Sequence, residues 1–162
     1  MPHSKPVKTW IVVADAARAR IIEQAARNEP LKVIEERHHE ASRQPSREIA
    51  SDGKGRSFDS GGQGRHAMEP STDPQRHEKT VFTKELAEAL NHAGKTNRFD
   101  RLLIACPAQM LGELRRDLDK AASGKVAAEF PKDLSAISLH DLPGHFSDHI
   151  VVPDPRAGNG GR

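Results

Sequence analysis

The chain of 162 residues has a single cysteine, Cys106, so it has no internal disulfide framework. Cys106 ends an apolar run, Leu102-Leu103-Ile104-Ala105-Cys106. It reads as a small buried hydrophobe, with a thiol nucleophile as the sharper alternative. No apolar run is long enough to cross a bilayer, so membrane insertion is not expected. Met1 to Lys8 is polar and lacks the apolar centre of a secretory signal, which makes the cytoplasm the expected location. Charge of one sign is also missing. With 25 basic and 23 acidic residues the net charge is +2, too balanced to argue for nucleic-acid binding by itself. Apolar residues are few, at 35%, but the deficit falls in the centre and at the C-terminus. The flanking stretches can still build one core, as the length suggests. No tight ligand spacing of the HExxH kind is present, so neither a metal nor a cofactor is expected.

What the sequence does have is one unusual stretch, Lys54 to Pro70, with four of the twelve glycines. It reads Lys-Gly-Arg-Ser-Phe-Asp-Ser-Gly-Gly-Gln-Gly-Arg-His-Ala-Met-Glu-Pro. It lies in a longer segment, residues 38–72, without apolar periodicity. A structureless segment of that length inside a compact domain is either functional or disordered.

Elements are legible on both sides. Thr9 to Ala14 is short, β-branched and apolar, as a buried strand is. Asp15-Ala16-Ala17 interrupts it, as a turn or as a sheet-edge carboxylate facing the loop. Arg18 to Glu23 reads as a second, antiparallel strand, with a helix as the alternative. After the turn at Asn28-Glu29-Pro30, Leu31 to Arg37 reads as a third. Thr72 or Asp73 caps a helix opened by Pro74. Phe82, Leu86, Ala89, Leu90 and Ala93 form its apolar stripe, and Gly94 is the expected stop. Arg101 to Cys106 reads as a strand buried on both faces, which implies helices on both sides of the sheet. Pro107 opens a helix whose apolar stripe is Met110 or Leu111, Leu114, Leu118 and Ala121 or Ala122, and Gly124 ends it. Lys125 to Phe130 is the last strand. Beyond it Pro143 forbids a long regular helix, and Asp141 is the candidate cap.

The expected fold is therefore α/β: one three-layer domain with a mixed sheet of about five strands. A long glycine-rich loop separates an N-terminal antiparallel meander from a C-terminal βαβ unit. The expected boundaries are an N-terminal tail at 1–7, the domain at 8–150 and a loose tail at 151–162.

Several motifs fall in a telling order. They are Thr9-Trp10-Ile11-Val12-Val13-Ala14-Asp15, Ala17-Arg18-Ala19-Arg20, Ser57-Phe58-Asp59-Ser60, and Gly64-Arg65-His66-Ala67-Met68-Glu69-Pro70. Thr72-Asp73-Pro74, His77-Glu78 and Phe99-Asp100-Arg101-Leu102 follow. In this the chain resembles the bacterial host attachment protein family over residues 8–150. The name implies a role in attachment to host cells, which is a phenotype and not a chemistry. The family is in turn distantly similar to the middle domain of archaeal and eukaryotic peptide-chain release factors. That domain is α/β and carries a Gly-Gly-Gln loop between a strand and a long helix. Here Gly61-Gly62-Gln63 holds the corresponding place. The resemblance implies glycines that let the backbone approach RNA, and a glutamine that positions an attacking water. The sequence departs from that pattern in the Gly64-Arg65-His66 that follows, and it shows no codon-reading domain. The expectation is therefore RNA or ribosome binding, not peptide release.

The candidate nucleic-acid contacts are Arg47, Arg56, Gly61, Gly62, Gln63 and Arg65, with arginines able to grip phosphates bidentately. Gln63 and His66 are the candidate catalytic residues. Asp59, His66, Glu69, Asp73, His77 and Glu78 could instead converge as an acid-base or metal site. The plainer account makes Asp73 a helix cap, puts His77 and Glu78 on a solvated first turn, and pairs Arg65 with an acid. Two functions follow: a non-enzymatic RNA- or ribosome-binding module, or a small ester or phosphodiester hydrolase using the same loop. A third is an attachment factor that acts indirectly.

Overall fold

The computed structural model describes residues 5–39 and 74–153. Thr9–Ala14 (β1), Arg18–Gln24 (β2) and Leu31–His38 (β3) form the N-terminal meander. They are followed by Pro74–Lys95 (α1), Arg101–Ala105 (β4), Ala108–Asp117 (α2), Lys120–Ser123 (α3) and Val126–Phe130 (β5). A 3-10 turn, Leu142–Phe146, comes last. The five strands make one mixed sheet in the order β3-β2-β1-β4-β5. β1 pairs antiparallel with β2 and parallel with β4, and β4 pairs parallel with β5. Arg18 to Glu23 is thus a strand. Propensity left a helix open, but Ala19 and Ile21 face one core and Ile22 the other, the two-residue alternation that a sheet needs.

Every residue of β1 is buried, because both faces of the sheet are covered. On one face Trp10, Val12, Ile21, Leu102 and Ile104 meet Phe82, Leu86 and Leu90 of α1 and Met110, Leu111 and Leu114 of α2. On the other, Ile11, Val13, Ile22, Leu103 and Ala105 meet Leu134, Leu142, Phe146 and Ile150. The sequence implied helices on both faces. The second face is covered instead by the chain after β5, whose described regular structure is the 3-10 turn. Pro143 sits in its first turn, where a missing N–H costs nothing. Asp141 precedes that turn without a side-chain cap bond, its carboxylate accepting from the Ser138 hydroxyl instead. Val151 and Val152 stay in contact with the domain. Gln24 donates to the Val151 carbonyl, and Val152 packs on the second core.

Three details of the helical layer correct the sequence reading. Gly94 does not end α1. The helix runs on to Lys95 and closes at Asn97, whose φ is 56°. Asn97 N–H donates to the Gly94 carbonyl and Arg98 N–H to the Ala93 carbonyl, the paired bonds of a Schellman stop. Gly94 serves closeness: a Cβ there would lie 3.1 Å from the Ala122 Cα of α3. Ala89 is only half-buried, while Ala87 takes the core position. Finally, the helix expected from Pro107 to Gly124 is two. Leu118 is extended and Asp119 caps α3 by accepting from Ala122 N–H at 3.0 Å. Asn91 of α1 bridges the break, donating to the Asp117 carbonyl at 3.1 Å and accepting from Asp119 N–H at 2.8 Å.

Candidate functional site at the ends of the parallel strands

β1 and β4 run parallel and end together, with Val13 opposite Ala105. In α/β sheets this carboxyl end is where connecting segments diverge and ligands settle. Here three things meet: the β1–β2 turn, the start of α2, and the two flanks of the glycine-rich segment.

The turn is built by Asp15. Its Oδ1 accepts from Ala17 N–H at 2.8 Å and Arg18 N–H at 2.9 Å. Its Oδ2 lies 3.1 Å from the Ser135 hydroxyl and 3.5 Å from Arg18 Nε. Ser135 is also 2.5 Å from Asp133 Oδ1, and a hydroxyl with one hydrogen serves one carboxylate at a time. Asp15 is thus a turn residue that ties β1 to the chain after β5. Of the two roles left open for it, this is the structural one.

The flanks of the segment are held together. His39 follows β3, and its main-chain N–H donates to the Ala17 carbonyl at 2.8 Å. Its ring Nε2 lies 2.8 Å from Glu78 Oε1 of α1 and stacks on Phe82 with centroids 5.7 Å apart. Glu78 is accordingly half-buried and partnered, while His77 beside it is exposed. The plainer account of His77 therefore holds, and that of Glu78 does not. No local pattern announces this contact, because its partners stand 39 residues apart.

The candidates Arg47, Arg56, Gly61, Gly62, Gln63, Arg65 and His66 lie outside the described residues, as do Asp59, Glu69, Thr72 and Asp73. Among the described residues no three His, Cys, Asp or Glu side chains come together as metal ligands.

Beside the His39–Glu78 contact lies a cleft of about 320 Å³. Ala16 after β1 and Pro107 after β4 form its end nearest the sheet, and Met110 contributes apolar surface. Its long wall is a face of α1. None of its polar residues stands out in the sequence, although Arg76, Lys79, Thr80 and Thr83 fall at helical spacing.

Cys106 begins the turn into α2 and is fully buried. Burial pushes its thiol up from 9.0 to about 12, with the charges of Glu129 and Asp133 adding to the effect and Arg115 opposing it. A thiol held protonated at neutral pH is no nucleophile, so the hydrophobe reading stands. Its contribution to stability is whole below pH 9 and is lost as the pH rises towards 12, because the unfolded thiol ionises first. The expected slope from this group is about 1.4 kcal/mol per pH unit in that window. Urea unfolding of the wild type and Cys106→Ala from pH 8 to 11 checks it, since the alanine variant lacks that component. Identical pH profiles would contradict the assignment.

The fold and the site define a class: a small α/β protein with a mixed sheet and a cleft at the end of its parallel strands. The chain belongs to the family described as "Protein required for attachment to host cells", whose model matches residues 10–146. No curated protein matches the sequence. Among solved structures the chain is similar to an archaeal translation termination factor, at 12% identity and a TM-score of 0.45, over 95% of this chain and 42% of that one. It is also similar to a structure titled only "Archaeal protein", at 12% identity and a TM-score of 0.41, over 85% and 34% of the two chains. A third is the Aquifex aeolicus Ppx/GppA phosphatase, at 13% identity and a TM-score of 0.31, over 76% and 35%. The chain spans less than half the length of each. The functional reading rests on this chain's own residues.

Proposed function

We propose that this family member is a non-enzymatic, cytoplasmic module that binds RNA or the ribosome through residues 38–72. Arg47, Arg56 and Arg65 contact phosphates, and Gly61-Gly62-Gln63 comes close to the nucleic acid. The observation that supports this reading is the His39–Glu78 contact, which joins the two flanks of the segment at the carboxyl end of the sheet. A segment whose flanks are held in advance loses less conformational entropy when it orders on a partner. Its composition suits phosphate, since arginines supply charge and fork geometry and glycines let the backbone approach. An effect on attachment to host cells would then be indirect, through RNA or translation.

The test is RNA binding and ribosome co-sedimentation across a salt series. Arg56→Ala and Arg65→Ala are each expected to weaken binding and to reduce the salt slope by roughly one phosphate contact. Gln63→Ala should leave affinity nearly unchanged. Unaltered affinity and slope in both arginine variants would remove the loop from the interface.

A further inference from the structure

Among the described residues, those that line the cleft carry a chemistry of their own. Arg76, Lys79, Thr80 and Thr83 stand at i, i+3, i+4 and i+7 along α1, one helical face, and line one side. Gln109 and Glu113, one turn apart on α2, line the other. The two threonines have spent their hydrogens on the helix. Thr80 Oγ1 donates to the Arg76 carbonyl at 3.1 Å and Thr83 Oγ1 to the Lys79 carbonyl at 2.9 Å. Their oxygens can then only accept. The donors are the Arg76 guanidinium, the Lys79 ammonium and the Gln109 amide. Among the described residues the acceptors are the threonine oxygens, the Gln109 amide oxygen and the Glu113 carboxylate. A bare anion would satisfy the cations and leave the acceptors unmatched. An uncharged sugar or base would do the reverse. A ligand that joins a phosphate to hydroxyl or amino donors meets both sets, and the volume is at the lower end of small-ligand sites. The cleft also opens beyond the coincident ends of β1 and β4, the usual ligand position in such sheets.

We propose that this cleft binds one nucleotide, its phosphate between Arg76 and Lys79 and its sugar or base donating to Glu113. The proposal goes beyond the loop reading and does not depend on it. The nucleotide is either free or one unit of an RNA strand, and both carry the same chemistry.

The experiment is a titration of the full chain with AMP, adenosine and a short oligoadenylate, followed by calorimetry or NMR shifts. The expected result is saturable binding of AMP or of oligoadenylate that falls at least tenfold in the Arg76→Ala, Lys79→Ala double variant. Adenosine should bind at least tenfold more weakly than AMP. Saturation by AMP identifies a free-nucleotide site, and saturation by oligoadenylate alone identifies a seat for the RNA strand. Arg56→Ala with Arg65→Ala should leave AMP binding unchanged, so the two sites can fail separately. Alanine at these helix-surface positions favours the helix. The double variant Arg76→Gln, Lys79→Gln serves if the alanine variant fails to fold. Saturation by neither ligand, equal binding of adenosine and AMP, or affinities indifferent to Arg76 and Lys79 would overturn the proposal.

Discussion

Replacing Trp10 with alanine is expected to lower the free energy of unfolding by about 3–5 kcal/mol. Trp10 is 2% exposed in the middle of the sheet's helical face. Its ring lies 5.0 Å from that of Phe99, and the Arg98 guanidinium sits 5.0 Å above it. Its indole N–H donates to Glu23 Oε2 at 3.1 Å. Alanine removes the largest side chain of this core and leaves a void beside Phe99. Typical domains are stable by about 5–15 kcal/mol, so the loss takes a large share of the whole. Trp10→Phe keeps an aromatic contact with Phe99 and should lose less than half as much. Chemical denaturation read by far-UV circular dichroism measures both, because the substitution removes the chain's one tryptophan as a fluorescence probe. A loss below about 1 kcal/mol for alanine would be inconsistent with the packing described here.

Arg20→Met is expected to cost about 2–4 kcal/mol and to loosen the second face selectively. Arg20 Nη2 donates towards three main-chain carbonyls, those of Leu134, Ser135 and Ile137, at 2.5 to 3.3 Å. This is how β2 holds the chain after β5, in which the Leu134 carbonyl also accepts from Ile137 N–H at 3.1 Å while those of Ser135 and Ile137 rely on Arg20. Burial lowers the Arg20 pKa from its usual value; Glu36 opposes this and Arg18 adds to it. Methionine keeps the length of the side chain and removes its donors. The Ser135 and Ile137 carbonyls then lack their partner, and a group that loses its hydrogen bond on burial costs more than the bond contributed. Native-state hydrogen exchange should show residues 131–150 losing protection while α1 and α2 keep theirs. Uniform loss across the sheet and helices, or no loss, would rule out a local clamp.

The two cores also show how far the sequence carried. β1 and β4 were legible because both faces of each are covered, so their sequences are unbroken apolar runs. α1 was legible from its stripe of Phe82, Leu86 and Leu90, and the antiparallel meander from short apolar strands separated by turn residues. The family resemblance was legible as well, from motifs in order along the chain. All of these are local patterns, or patterns in chain order, imposed by the period of an element.

What the tertiary structure decided is non-local. Gly94 looked like a helix stop because a glycine near a helix end usually is one. Its reason is Ala122, 28 residues on, and the stop falls to Asn97. The break at Leu118 depends on the Asn91 side chain, which has no periodic signature. A second layer was expected to be helical, yet Arg20 supplies the donors that let an irregular segment lie there instead. The site divides in the same way. The composition of residues 38–72 pointed to a loop that handles phosphate. That its flanks meet through His39 and Glu78, and that a basic face of α1 confronts Gln109 and Glu113 across a cleft, was visible only once the chain had folded. Periodicity reports which face of an element is buried. It does not report which distant polar side chain that face will meet, and the directed bonds made there decide where helices end and where a ligand could fit.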